Sequence, residues 1–267
     1  LRMRDLLLSD SNTMLASIVL KDAYTVSDGA PIDELISFFD KYDFYGVPVL
    51  NETNQMVGVV LRKHILEAEN EKANADLLST QGIVGGEELR TMPILTRSGR
   101  RLSWLSINIL LNILAASVIA FYQDTLSAVI ALAVFLPIIS DMSGCSGNQA
   151  VAVSMRELTL GVIKPMDMFR VLFQEVSVGL INGVALGILI GLAAFIWKGN
   201  VYLGLVVGAA LMVNTVVAVA LGGTIPLVLK RFNLDPALAS GPILTTITDM
   251  IGFALALSLA TLALAKF

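Results

Sequence analysis

The chain has 267 residues, of which 55% are hydrophobic, and a formal net charge of −4; its mean hydropathy is +0.77. That composition is too apolar for an ordinary soluble domain, and the acidic balance argues against a nucleic-acid partner. One cysteine, Cys145, and one histidine, His64, exclude an internal disulfide, a thiolate metal cluster and a histidine-rich zinc site within the chain.

Charge is distributed unevenly along the chain. Residues 1–101 hold 11 Lys/Arg and 15 Asp/Glu, whereas residues 102–267 hold 7 of each kind. The split predicts a small acidic soluble part followed by a membrane domain. The chain begins at Leu1 without a signal-peptide pattern, and we expect it to be a fragment whose N-terminal portion is missing.

The soluble part alternates between helical and β-rich patterns. The sequence predicts a helix over 32–42, strands over 45–50 and 56–60, and a helix over 62–68. This order, carried by the stretch GVPVLNETNQMVGVVLRKHIL, resembles a cystathionine-β-synthase-type (CBS) module. The first seven residues resemble the tail of a preceding repeat. We therefore expect a partial CBS region over 1–68 and a connecting helix and linker over 69–101.

The remainder, residues 102–267, is predicted to be a helical membrane domain with five spans. Each of five apolar runs exceeds the roughly 20 residues needed to cross a bilayer; they cover 103–123, 125–153, 171–197, 202–229 and 236–265. Loops rich and poor in Lys/Arg alternate, which predicts a cytoplasmic N-terminus and an external C-terminus. Gly179, Gly183, Gly187 and Gly191 recur every four residues and predict close helix packing.

Polar residues interrupt the second span at positions that share a helical face. Pro137, Asp141, Gly144 and Asn148 are spaced by four, three and four residues. Pro137 has no N–H to donate and frees a carbonyl of the preceding turn. An acid without a basic neighbour at membrane depth is typical of an ion or substrate path.

A second acid, Asp249, lies in the fifth span. Asp235 and Pro236 are a favourable helix start, and Asp249 follows 13 residues after Pro236, about 20 Å further along the axis. A small and polar stripe accompanies it, formed by Gly241, Pro242, Thr245, Thr248 and Gly252. The fourth span contributes Asn214.

These side chains offer carboxylate, amide and hydroxyl oxygens, which suit Mg²⁺ or Ca²⁺ rather than soft metals. Because carboxylates are few, the pattern favours an ion that keeps part of its water, as Mg²⁺ does. The alternative for Asp141 is a hydrogen bond to neighbouring groups without any ion. Asp249 has the alternative of a protonated acid in a helix–helix hydrogen bond.

The chain resembles the MgtE family of magnesium channels and transporters. The resemblance rests on the motif led by Pro137 that ends Gly147-Asn148-Gln149, on Arg156-Glu157-Leu158, on Leu234-Asp235-Pro236-Ala237 and on Thr245-Thr246-Ile247-Thr248-Asp249. It implies a homodimer in the bacterial plasma membrane, with a Mg²⁺ pore on the two-fold axis and a cytosolic CBS region as its gate. It also implies that Asp249 is the principal ion-site acid, that Asn148 lines the pore, and that Gly241 and Thr245 flank the site.

We expect metal contacts from Asp249, Asn148, Thr245, Gly241 and Asp141. Further pore-lining residues are expected at Pro137, Gly144, Thr248 and Asn214. The chain departs from the family pattern at Ser143-Gly144-Cys145, where Gly-Gly-Asn is usual, and at Gly241, which is Asn in some members.

The sequence is compatible with other functions besides a gated Mg²⁺ channel. One is a coupled transporter of another divalent cation such as Co²⁺, and another is a nucleotide sensor of the CBS type that is anchored in the membrane. We expect no enzyme, because neither His-Glu-x-x-His nor a Ser/Lys or paired-Asp catalytic arrangement occurs. The sequence leaves open whether the CBS region binds ATP or a regulatory Mg²⁺.

Overall fold

The structure is a computed structural model that describes residues 7–10, 12–18, 24–83, 85 and 88–264. The chain divides into two compact units, residues 1–74 and residues 75–267. Residues 1–6, where the tail of a preceding CBS repeat was expected, lie outside the described residues, as does Ala265 at the end of the fifth predicted span.

The first unit is a small α/β module. Its elements are α1 (Leu15–Ile18), β1 (Val26–Ser27), α2 (Ile32–Lys41), β2 (Gly46–Leu50), β3 (Met56–Leu61) and the start of α3 (Arg62–Thr80). Strand β2 pairs in parallel with β1 and antiparallel with β3, so that the sheet order is β1-β2-β3. The predicted succession of helix, strand, turn, strand and helix is confirmed.

The core of this unit is built from one face of each element. Phe39 of α2, Val47 of β2 and Ile65 of α3 are buried together, which removes their apolar surface from water. The hairpin turn is closed by Asn51, whose Oδ1 accepts hydrogen bonds from the backbone N–H groups of Thr53 and Gln55. Asn54 takes the left-handed conformation, with φ of 60°, which asparagine tolerates better than most residues.

The boundary expected at residue 69 is not a helix boundary. Helix α3 is continuous over its 19 residues, Arg62–Thr80, because residues 69–80 contain neither glycine nor proline. The chain turns only at Gly82, which has a φ of +75°. The first helix of the membrane domain begins at Ile94 rather than Ser103, since the Arg-rich flank is itself helix-forming.

The second unit is all helical in its described part. It contains α4 (Ile94–Phe121), α5 (Gln123–Ala128), α6 (Leu132–Thr159), a 3₁₀ turn at Pro165–Asp167, α7 (Met168–Lys198), α8 (Val201–Arg231) and α9 (Pro236–Ala263). Four of the five predicted spans therefore correspond to α4, α7, α8 and α9, with small changes at their ends. Helix α9 begins as predicted, with the Asp235 side chain accepting a hydrogen bond from the N–H of Ala237.

The second predicted span was wrong at its start. Residues 125–128 belong to the short helix α5, and α6 begins only at Leu132. Two hydrogen bonds tie the α5 region to the end of α9: Tyr122 Oη lies 2.7 Å from Ser258 Oγ, and Thr125 Oγ1 lies 2.8 Å from Thr261 Oγ1. The segment before α6 is thus bonded to α9.

Within the described residues, four helical segments are long and apolar enough to cross a membrane. They are Ile94–Phe121, Pro165–Lys198, Val201–Arg231 and Ser240–Ala263. Helix α6 has 28 residues and is not among them, because its serines, amides, glycines and Asp141 lower its hydropathy.

Helix α8 is the centre of the membrane domain. It packs against α6, α7 and α9, while α4 packs against α9. The glycine ridge of α7 faces α8 as predicted: a Cβ at Gly183 would stand 2.6 Å from Met212 O, and one at Gly187 would stand 2.7 Å from Gly208 O. The absent side chains let the two backbones touch.

Candidate ion site

The site centres on a hydrogen bond between two helices. Ser140 Oγ on α6 donates to Asp249 Oδ1 on α9, and both side chains are half-buried. Among the described residues, no Lys, Arg or His forms an ion pair with Asp249. A carboxylate is therefore held inside an apolar helix by a neutral donor, with its remaining lone pairs available to a cation or to water.

The residues before Asp249 on α9 supply further oxygen atoms and space. Thr245 Oγ1 donates to Pro242 O at 3.2 Å, so its hydroxyl proton is engaged while its oxygen can still accept or coordinate. Gly241 is half-buried, and a Cβ placed there would meet nothing within 4 Å. Open room lies beside α9 two turns before the acid.

Helix α6 presents a polar, exposed face. Pro137, Asp141, Cys145 and Asn148 are all exposed along one side of the helix, at the spacing that the sequence predicted for three of them. Gly144 differs, because it is buried at the edge of this face and a Cβ there would lie 3.9 Å from Thr245 Cγ2. One edge of the predicted face therefore contacts α9, and its larger part is exposed among the described residues.

Two of the residues predicted to line a pore are buried inside the helix bundle of the single chain. Asn214 and Thr248 are both 0% exposed. Asn214 Nδ2 donates to Ser143 Oγ at 2.7 Å, and Thr248 Oγ1 donates to Thr245 O at 3.0 Å. Helix packing covers both side chains and gives each a hydrogen-bond partner, and their pore-lining role stays a prediction.

The close approach of α6 and α8 explains that burial. A Cβ at Gly147 would stand 2.9 Å from Ala218 O, and one at Gly222 would stand 2.2 Å from Gly147 O. Glycine on both helices brings the backbones together, and the Ser143–Asn214 bond forms in the resulting contact. Asn214 Oδ1 has no hydrogen-bond partner among the described residues, which is costly for a buried acceptor.

Sequence reasoning missed Ser140. It stands next to Asp141, but it points to the fifth predicted span, 109 positions away in the chain. Its place one turn after Pro137, on the side of α6 that carries Gly144, is the only sequence signal that could have indicated a contact with another helix.

A second charged cluster lies where the chain enters α4. The Glu88 side chain is 3% exposed and forms ion pairs with Arg101 and with Arg97, the latter at 3.2 Å. Arg101 first, and Arg97 in addition, hold the pKa of the Glu88 carboxyl below its usual range, against the opposing effect of burial. The Trp104 ring covers Gly82, so the loop is fixed at two points to the first turns of α4.

The site has few side chains that could bind a metal ion directly. In the described part of the chain, no three His, Cys, Asp or Glu side chains come together in a way that could hold a metal ion. Asp249, Thr245, Asp141 and Asn148 offer hard oxygen atoms distributed over two helices. Such a set suits an ion that passes with its water rather than one enclosed by protein ligands.

Two family models match parts of this chain. A family model described as a divalent cation transporter, MgtE, matches residues 136–259. These residues are therefore similar to the transport domain of MgtE proteins. A CBS domain model matches residues 15–71, which contain the α/β module. MgtE is a family of membrane transporters rather than of enzymes.

Three curated relatives are each named magnesium transporter MgtE. The Bacillus subtilis (strain 168) protein is 29% identical over 259 residues, which are 97% of this chain and 57% of that protein. The Enterococcus faecalis protein is 31% identical over 265 residues, which are 99% of this chain and 58% of that protein. The Thermus thermophilus protein is 30% identical over 270 aligned positions, which cover 99% of this chain and 59% of that protein. The chain thus spans less than three fifths of each relative.

Proposed function

We propose that the chain forms, as a homodimer, a passage for Mg²⁺ across the plasma membrane of a bacterial cell, and that Asp249 is the acid of its ion site. The proposal is carried by the half-buried carboxylate of Asp249, bonded to a hydroxyl inside an apolar helix. A charge at that depth is costly unless it meets water or a counter-ion. The names of the relatives favour Mg²⁺ among divalent ions.

The ion keeps most of its water in this proposal. Mg²⁺ loses water reluctantly and is commonly held through one or two carboxylates. Asp249 attracts it, Thr245 and the backbone at Gly241 accept hydrogen bonds from its water, and the open space beside Gly241 supplies room. Asn148 and Asp141 lie on the exposed face of α6 and extend the polar path.

A second copy of the chain completes the passage. The exposed residues Pro137, Asp141, Cys145 and Asn148 make a face that is unsuited to lipid. A two-fold partner would cover this face and bring a second Asp249 towards the same axis. Two carboxylates that face each other favour a cation between them, since otherwise one of them is driven to take up a proton.

We propose five spans, with α6 as the one that hydropathy alone does not identify. Its 28 residues correspond to about 42 Å at about 1.5 Å per residue, more than the roughly 30 Å of the hydrocarbon core. Arg97, Arg100 and Arg101 in the first turns of α4 favour a cytoplasmic N-terminus. The CBS domain would then lie in the cytosol, where we propose that it gates the passage and that ATP or regulatory Mg²⁺ binds to it.

The test is Mg²⁺ flux into vesicles that contain the purified chain and a Mg²⁺-sensitive dye. Asp249→Ala should reduce the flux by at least about tenfold, a loss of about 1.4 kcal/mol, and Asp249→Asn should reduce it less. Asp124→Asn changes an exposed acid at the start of α5 and should leave flux unchanged. Equal flux in the parent and in Asp249→Ala would refute the proposal, and competition by Co²⁺ and Ca²⁺ measures the ion preference.

A further inference from the structure

A groove runs along the outer side of the α7–α8 pair. Its volume is about 450 Å³, and all of its lining residues are glycine or apolar. Gly187 and Gly191 of α7 and Gly204 and Gly208 of α8 form the floor, because none of them carries a side chain that could fill the space between the helices. The groove plays no part in the ion site, which lies where α6 meets α9.

The groove covers about half the thickness of a membrane. On α7 it extends from Val184 to Phe195, which is about 16 Å at about 1.5 Å per residue. Half of the roughly 30 Å hydrocarbon core is about 15 Å. A transmembrane helix of a partner would need a longer surface, whereas one leaflet of lipid has this length.

One end of the groove lies at the turn between α7 and α8, which has the features of a membrane interface. Trp197 and Tyr202 flank the turn, and these residue types are enriched at the level of lipid headgroups. The other end lies deep in both helices. The groove therefore begins at the interface and continues towards the membrane centre, as an acyl chain does.

A single positive charge marks the interfacial end. Lys198 is exposed and follows Gly187, Gly191 and Phe195 at intervals of four, four and three residues, which places it on the groove side of α7. Its Nζ lies 5.5 Å from the centre of the Trp197 ring. In the sequence, Lys198 is the sole charged residue between Glu175 and Lys230.

We propose that this groove binds one acyl chain of an anionic phospholipid and that Lys198 holds the headgroup phosphate. The apolar lining selects an acyl chain, the length selects a lipid of one leaflet, and the charge selects an anionic headgroup. The first residues of α8 add the positive end of a helix dipole at the same place.

Lipid selectivity at the groove can be measured with a local tryptophan. The chain has two tryptophans; both are changed to phenylalanine, and Leu205→Trp then reports from the groove rim. Quenching by dibrominated phosphatidylglycerol is compared with quenching by dibrominated phosphatidylcholine in phosphatidylcholine vesicles. We expect a preference of about fivefold for the anionic lipid, the effect of one lysine near an anionic headgroup. Lys198→Gln should lower the ratio to about one, whereas Lys230→Gln should not change it.

The control reporter is Ala193→Trp, at a similar depth on the opposite side of α7, where no preference is expected. Ile188→Trp is a second reporter on the groove lining if Leu205→Trp does not fold. Equal ratios at groove and control reporters, or an unchanged ratio in Lys198→Gln, would overturn the proposal. So would a disulfide-linked dimer through Leu192→Cys in a Cys145→Ser background, because a second copy would then cover the groove.

Discussion

Ser140 and Asp249 join the two helices that carry the polar residues of the MgtE domain. The hydroxyl on α6 donates to the carboxylate on α9, so the position of the acid depends on the register between these helices. A charge-assisted hydrogen bond contributes about 1.5–3 kcal/mol in typical proteins. The bond fixes one carboxylate oxygen towards α6 and leaves the other for the ion or its water.

The first prediction concerns this bond. Ser140→Ala should reduce Mg²⁺ flux by about threefold to tenfold, because the carboxylate loses its donor and adopts several orientations; 1.4 kcal/mol corresponds to tenfold. Ser140→Thr retains a hydroxyl and should restore most of the flux. The measurement is dye-reported Mg²⁺ entry into vesicles. Ser146→Ala is the control, since the Ser146 hydroxyl donates to Met142 O within α6. An equal loss of flux in this control would contradict the prediction, because removal of any serine hydroxyl on α6 would then have the same effect.

The second prediction follows from the burial of Asn214. If Asn214 supports packing rather than lining a passage, Asn214→Ala should lower the thermal stability and leave the ratio of Mg²⁺ to Co²⁺ flux unchanged. Ser143→Ala and Asn214→Ala should be non-additive by about 0.5–1 kcal/mol, since both remove the same hydrogen bond. The cycle is measured by thermal unfolding in detergent. A changed ratio of Mg²⁺ to Co²⁺ flux in Asn214→Ala would contradict this and would indicate that Asn214 lines the passage.

Helix α6 and Asn214 illustrate which features residue spacing can predict and which it cannot. Spacing alone placed Pro137, Asp141 and Asn148 on one face of a helix, and the exposed side of α6 carries all three. Spacing could not decide which neighbour covers Gly144, because that depends on how α9 crosses α6. For Asn214, residue type suggested a polar path, but its partner Ser143 lies 71 positions away, beyond any local pattern.

The same limit applies to the helices. Hydrophobic runs and the Asp235-Pro236 start predicted α7, α8 and α9 closely, since those signals are local. The break before Leu132 was missed; the segment before it bonds to the end of α9 through the hydroxyls of Tyr122 and Thr125, contacts that no local pattern indicates. The continuation of α3 past residue 69 and the start of α4 at Ile94 were, by contrast, local features that the prediction placed too conservatively.

The third prediction tests the glycine contact between α7 and α8. Gly183→Ala should destabilise the membrane domain by about 1–3 kcal/mol, because the added Cβ would stand 2.6 Å from Met212 O and backbone cannot move aside easily. Gly99→Ala is the matched control, since nothing lies within 4 Å of a Cβ there and alanine is the better helix former. The two variants are compared by thermal unfolding followed by size-exclusion chromatography. Equal melting temperatures would contradict the close approach of the α7 and α8 backbones at Gly183.

The fourth prediction concerns pH and the loop before α4. Because the pKa of Glu88 is lower in the folded protein than in the unfolded chain, through Arg101 and then Arg97, its stabilising effect is complete above the ordinary glutamate value of about 4.3. It is lost as the pH falls from there through the lower folded pKa. In a Trp197→Phe background, Trp104 is the remaining tryptophan and reports release of the loop from Gly82. Its fluorescence should change over that acidic range in the parent. Glu88→Gln should show the released signal already at neutral pH and a flat profile. Glu67→Gln, which removes an exposed pair with Lys63, should titrate like the parent, and a flat profile in the parent would contradict the loop contact.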